Sequence, residues 1–83
     1  MIPVTKTVSE WLQNPRITPS MLTLDLNSSA SVALRHAAYE LFRTDPDNEA
    51  EYERAADAYN EAERMFLDIH GNTPITRQVE VAA

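Results

Sequence analysis

The stretch from Asp45 to Gly71, DPDNEAEYERAADAYNEAERMFLDIHG, decides the fold. Its apolar residues recur at alternating steps of three and four, a spacing that places them on one stripe of an α-helix. The stripe consists of Tyr52, Ala55, Tyr59, Ala62, Phe66 and Ile69. Asp45 is a favourable N-cap, Pro46 suits the first helical position, and Gly71 is a typical stop. We therefore predict a helix over residues 46–70.

The segment before this helix predicts a second one over residues 29–43, SASVALRHAAYELFR. One of its sides is apolar and rich in alanine, which allows another helix to approach closely. That side carries Ala30, Ala33, Leu34, Ala37, Ala38 and Leu41, with Phe42 beside them. Because only a short connection separates the two segments, we expect neighbouring antiparallel helices that form a hairpin.

The remaining segments predict only short elements, so the expected fold class is all-α: the hairpin with one or two short flanking helices. Residues 21–26 and 75–81 alternate apolar and polar residues, which is typical of strands. An α fold with a minor two-stranded pairing of these segments is therefore the alternative, although isolated pairs are weak. We expect one small domain over residues 1–83, with loose order in residues 1–6 and 80–83.

Composition excludes several classes of protein. The chain has 83 residues and no cysteine, which excludes a disulfide scaffold, a thiolate metal site and a cysteine nucleophile. Its single glycine argues against a glycine-rich phosphate loop. The first residues lack a signal-peptide pattern, and no apolar run is long enough to cross a membrane. We therefore expect a cytoplasmic protein that does not bind membranes.

No constellation of side chains predicts catalysis, a cofactor or a metal. Asp45, Asp47 and Glu49 have the spacing of the first ligands of a calcium loop, but alanine stands where that loop needs its glycine and its final acid. His36 and His70 have no nucleophile or further ligands near them in sequence, so we expect structural roles for both. We predict that the protein is not an enzyme.

Negative charge is concentrated in the long helix. The net charge is −6, from 13 acids and 7 Lys and Arg residues. Residues 45–70 hold nine of the acids and two arginines, a sum of −7, and the rest of the chain sums to +1. Such a chain repels nucleic acid, so we expect no direct binding to it.

Four of these acids form a column, since Glu49, Glu53, Asp57 and Glu61 recur every fourth residue, about 6 Å apart. Two interpretations stay open: a solvated face that keeps the protein soluble, or a surface that docks onto a basic partner. Two interpretations also stay open for Trp11, the only tryptophan: it covers the end of the helical core, or it is an exposed anchor for a partner.

These observations favour a non-enzymatic binding protein that occupies a basic surface of another protein, through the acidic column and the region of Trp11. One alternative is a nucleic-acid mimic that uses the acidic helix face. Another is a structural subunit of a homo-oligomer, such as a homodimer. In character the chain resembles small phage- or plasmid-encoded accessory proteins, which are short, acidic and cysteine-free. That resemblance carries no motif, and it implies an inhibitor of a host enzyme or defence complex in the host cytoplasm.

Overall fold

A computed structural model describes residues 1–80 of the chain. The elements in chain order are β1 (Ile2–Thr7), α1 (Val8–Trp11), α2 (Pro19–Leu22), a 3₁₀-helix (Thr23–Asp25), α3 (Ser29–Arg43), α4 (Glu49–His70) and β2 (Pro74–Val79). Helices α3 and α4 pack along each other as a hairpin, and the short elements gather around one end of it. Most of the tail predicted to be loosely ordered, residues 81–83, lies outside the described residues.

The hairpin prediction is confirmed in outline, and α3 has the predicted bounds. Helix α4 ends at His70 as predicted but begins at Glu49, three residues later than expected. The Asp45 carboxylate accepts a hydrogen bond from the Asp47 N–H at 2.9 Å, and the Asp45 carbonyl accepts one from the Asn48 N–H at 3.0 Å. These bonds close a turn that competes with helix, so Asn48 becomes the N-cap in place of Asp45.

The all-α prediction is wrong, because β1 and β2 form a two-stranded antiparallel sheet. The register pairs Ile2 with Val79, Val4 with Arg77 and Lys6 with Ile75. Residues 1–6 were expected to lead loosely into the fold, yet Ile2 to Thr7 supply a whole strand. Pro3 is tolerated because each strand of a two-stranded sheet keeps one open edge.

The alternative pairing of residues 21–26 with 75–81 is also wrong, although the second segment does contain a strand. Residues 21–26 instead complete α2 and form the 3₁₀-helix. Local hydrogen bonds explain the choice: the Thr23 hydroxyl donates to the Ser20 carbonyl at 2.6 Å. The buried Ser31 hydroxyl lies 2.8 Å from the carbonyls of both Thr23 and Leu26. These contacts satisfy carbonyl groups that a strand would need a neighbour to satisfy.

The core lies where α3 begins and α4 ends. It is a cluster of six buried apolar residues that come from five elements: Val8, Trp11, Leu22, Leu34, Phe66 and Ile75. The two strands and α1 therefore act as a lid on one end of the hairpin. Backbone hydrogen bonds of 3.0 Å fasten this lid, from the Val8 N–H to the Thr73 carbonyl and from the Ser9 N–H to the Gly71 carbonyl.

The predicted apolar stripe of α4 is only partly buried. Phe66 is completely buried, whereas Tyr52 and Ile69 are 41% and 60% exposed. On α3, Phe42 is 89% exposed although it lies beside the apolar side. The hairpin thus projects beyond its core, and the molecule measures 46 × 29 × 18 Å.

Candidate protein-interaction surfaces

The acidic column is exposed along its whole length. Glu49, Glu53, Asp57 and Glu61 all present their side chains to solvent on α4. Every fourth residue lies about 40° further round the helix, so the column winds gradually around α4 from Glu49 to Glu61. Only its last member, Glu61, borders the surface between α3 and α4. The other three therefore lie on the outer side of the hairpin.

No acid of this column forms a salt bridge among residues 1–80. The ion pairs there lie elsewhere, with Arg43 3.7 Å from Glu40 and Arg77 3.3 Å from Asp25. Arg43 also lies over the ring of Tyr39 at 5.5 Å, on its own helix, and does not reach the column. Within the described part of the chain, no basic side chain thus lies within salt-bridge distance of the column.

Trp11 belongs to the core and not to an exposed surface. Its side chain is 5% exposed, and its Nε1–H donates a hydrogen bond of 2.9 Å to the carbonyl of Ile75. The Lys6 ammonium lies over the ring at 5.1 Å and covers its outer side. The indole thus joins α1 to the sheet and offers a partner almost no surface.

An apolar groove runs between α3 and α4, and the sequence analysis did not identify it. We call it the hairpin groove and define it by Ala30, Ala33, Ala58, Ala62, Met65 and Ile69. Ser29 and Glu61 border it. Met65 and Ile69 are 51% and 60% exposed, so large apolar side chains face water there. Their spacing from Ala58, at steps of seven and four, is the signal that would have found this second stripe.

A second apolar hollow lies near the loop that joins the two helices. Phe42, Tyr52 and Tyr59 line it together with Ala38, Leu41 and Pro46. Burial of the phenol raises the pKa of Tyr59, and the negative charge of Glu63 raises it further, against an opposing hydrogen bond with Ser20. Tyr59 therefore stays neutral over the physiological pH range and acts here as an apolar wall.

Within residues 1–80, a serine–histidine contact is the one arrangement that resembles catalytic machinery. The Ser28 hydroxyl lies 2.7 Å from His70 Nε2, and His70 Nδ1 lies 3.2 Å from the Thr73 hydroxyl. Ser28 is also the N-cap of α3 and accepts from the Ser31 N–H at 3.1 Å. A neutral threonine hydroxyl cannot stabilise an imidazolium as a carboxylate does. The contact is best explained as a tether between the start of α3 and the end of α4.

Replacing Ser28 with alanine is expected to lower the free energy of unfolding by about 1–2 kcal/mol, because the cap and the tether to His70 are lost together. Urea denaturation followed by circular dichroism measures the change. Ser29→Ala is the matched control, since this neighbouring side chain is exposed and forms no hydrogen bond within residues 1–80. Equal stability of the two variants would show that neither the cap nor the tether contributes to stability.

The described residues contain no group of three or more His, Cys, Asp or Glu side chains arranged to hold a metal ion. None of the helices within residues 1–80 is long and apolar enough to cross a membrane. A comparison with known protein families, curated proteins and solved structures finds no match to this chain.

Proposed function

We propose that this chain is a non-enzymatic, cytoplasmic binding protein that docks its acidic column onto a basic surface of another protein and acts by occupying that surface. The observation that carries the proposal is the exposure of Glu49, Glu53, Asp57 and Glu61, without a salt bridge in the described part of the chain. The column is thus free to interact with external cations.

The energetics of the column favour such a partner. Like charges four residues apart on a helix destabilise it by a few tenths of a kcal/mol per pair, and the column contains three successive pairs. A row of Lys or Arg side chains on a partner removes this repulsion when the complex forms. Complementary charge also accelerates association and makes it sensitive to salt.

The column's geometry suits a contact made by one helix. Helix α4 has 22 residues and is therefore about 33 Å long. Glu49, Glu53 and Asp57 lie on its outer side, away from α3 and from the lid, so a partner reaches them without displacing any element. Docking in this way requires no conformational change in the hairpin.

The test is a neutralisation of the outer column, Glu49→Gln with Glu53→Gln and Asp57→Asn. The partner is first isolated by affinity capture from the source organism, identified by mass spectrometry and purified. The triple variant is expected to bind it at least about tenfold more weakly than the wild type, and the wild-type affinity is expected to fall steeply as salt increases. Titration calorimetry at two salt concentrations measures both effects.

A matched control removes the same charge outside the column. Asp47→Asn with Asp68→Asn and Glu80→Gln also changes the net charge from −6 to −3, and all three side chains are exposed. The control is expected to keep most of the affinity. An equal loss of affinity in both variants would show that only the net charge matters. An unchanged affinity in the column variant would show that the column does not bind the partner. Competition by nucleic acid for the same partner would identify mimicry.

A further inference from the structure

Among residues 1–80, no element outside α3 and α4 covers the hairpin groove. All of its lining comes from α3 and α4, and neither the lid nor α2 contributes a residue. Apolar helix faces in small proteins are ordinarily buried against another element. Here Met65 and Ile69 stay more than half exposed. The groove therefore has the apolar composition of a buried face, but no described element packs on it.

The dimensions of the chain point the same way. A compact monomer of 9.4 kDa has an accessible surface of about 5,000 Å². This chain has 6050 Å². The excess of about 1,000 Å² is similar to the roughly 800 Å² that each partner contributes to a standard interface. The radius of gyration, 14.4 Å, likewise exceeds the roughly 12 Å of a compact domain of this length.

The charges beside the groove complement those of a second copy of α4 that runs in the opposite direction. Reversing α4 about the point between Asp57 and Ala58 exchanges Arg54 with Glu61, since each lies three and a half residues from that point. Both side chains are exposed, and neither forms a salt bridge within residues 1–80. A second α4 laid antiparallel on the first thus brings each Arg54 opposite one Glu61, which gives two pairs, one on either side of the two-fold axis.

We propose that the hairpin groove binds a second copy of the chain, with the two α4 helices antiparallel and crossing near Ala58. The small side chain of Ala58 lets the helices approach at the axis. Met65 of each copy packs on the first turn of the other α4, Ile69 lies beside the loop before that turn, and Arg54 of each copy pairs with Glu61 of the other. The outer acids Glu49 and Glu53 stay accessible, so the dimer presents two acidic columns.

Charge reversal tests this geometry. Light scattering of the purified protein at low salt is expected to give a dimer of 18.8 kDa, twice 9.4 kDa. Arg54→Glu alone, or Glu61→Arg alone, places like charges opposite each other twice and is expected to weaken the dimer about tenfold or more. The double variant Arg54→Glu with Glu61→Arg restores both pairs and is expected to recover the wild-type dissociation constant.

The controls separate pairing from net charge. Arg35→Glu and Glu53→Arg make the same charge changes at exposed positions outside the groove. Both are expected to leave the dissociation constant within about twofold of wild type at moderate salt, where distant charges are screened. The antiparallel arrangement would be overturned if the control variants weakened the dimer as much as the single charge reversals at Arg54 and Glu61 do. It would also be overturned if the double variant did not recover the wild-type dissociation constant.

A disulfide probe tests the crossing point directly, because the chain has no cysteine of its own. Ala58→Cys is expected to form a covalent dimer under mild oxidation. Asn60→Cys, on the outer side of α4 and also exposed, is expected to stay monomeric in the same reaction. Equal cross-linking at both positions would overturn the proposed axis.

A mass of 9.4 kDa at every concentration up to about millimolar would overturn the second copy as occupant. This experiment uses the purified chain alone and does not involve the basic partner of the acidic column. A monomer that still binds that partner would therefore contradict the dimer only. A dimer whose outer acids bind nothing would contradict the proposed function only.

Discussion

Replacing Phe66 with alanine is expected to remove more than half of the protein's free energy of unfolding. The side chain has no exposure to solvent and is the only completely buried residue of α4 among those described. It packs with Leu34 of α3 and Leu22 of α2, and its ring centre lies 5.3 Å from that of His70. The change thus removes contacts between the hairpin and its lid at a single point.

The expected loss is about 3–5 kcal/mol, the usual cost of a Phe→Ala cavity in a core. A chain of this length has a total stability of only about 4–12 kcal/mol. The core here is small, because the tip of the hairpin contributes little to it. We therefore expect a total stability in the lower half of this range of about 4–12 kcal/mol. The decrease in the urea midpoint, followed by the fluorescence of Trp11, measures the effect.

Phe42→Ala is the matched control, since it makes the same chemical change on the same hairpin. Phe42 is 89% exposed, so we expect a loss within about 0.5 kcal/mol. A comparable loss in both variants would show that Phe42 is buried in solution, for example against another copy. Little loss in Phe66→Ala would contradict the position of the core.

The parts of the fold that local signals determine were predictable. Helix α3 has the predicted bounds because Ser28 caps it and the alanine-rich pattern continues to Arg43. Helix α4 ends at His70 as predicted, although Gly71 keeps right-handed helical dihedral angles and not the left-handed ones of a typical glycine stop. Its start was missed by three residues because two competing caps, Asp45 and Asn48, lie close together. The turn that Asp45 closes with its own side chain decides between them.

The sheet depends on contacts between the two ends of the chain, which no local pattern reports. Alternation identified residues 75–81 as a candidate strand, and the β-branched residues Ile2, Val4, Thr5 and Thr7 carried a similar signal that Pro3 obscured. A strand has no partner until the fold supplies one. The hairpin supplies it, since its core end holds β2 beside α1 and thereby beside β1.

Periodicity also predicted the composition of the helix faces better than their burial. It placed the acidic column on an exposed side of α4, where the structure has it. It could not show that Tyr52 extends beyond the core or that Ile69 faces the open hairpin groove, because a 3.6-residue repeat contains no information on which neighbouring elements cover the stripe. The contact of Ser28 with His70 follows from the hairpin topology, which brings the start of α3 to the end of α4.

Replacing Trp11 with alanine is expected to cost at least as much as the loss of Phe66 and to release the lid. The cavity alone costs about 3–5 kcal/mol. The Ile75 carbonyl also loses the indole donor at 2.9 Å, and a buried group without a partner costs about 1–3 kcal/mol more. Because Trp11 links α1 to β2, the loss affects both strands and the hairpin at once.

Trp11→Phe separates these two contributions. Phenylalanine fills most of the indole site but has no donor for the Ile75 carbonyl, so we expect a loss of about 1–3 kcal/mol. Circular dichroism in urea ranks the variants without using tryptophan fluorescence, and the expected order of stability is wild type, Trp11→Phe, Trp11→Ala. Hydrogen exchange of the amides in residues 2–7 and 74–79 shows whether the lid opens first.

Lys6→Ala tests whether the cation over the indole matters to this link. Its ammonium lies 5.1 Å from the ring centre, at an exposed position, so we expect a loss of about 0.5–1 kcal/mol.

A Trp11→Phe variant as stable as wild type would show that the hydrogen bond to Ile75 adds nothing to the fold. In that case the indole would hold the lid by packing alone, and only Trp11→Ala would expose the amides of the two strands to exchange.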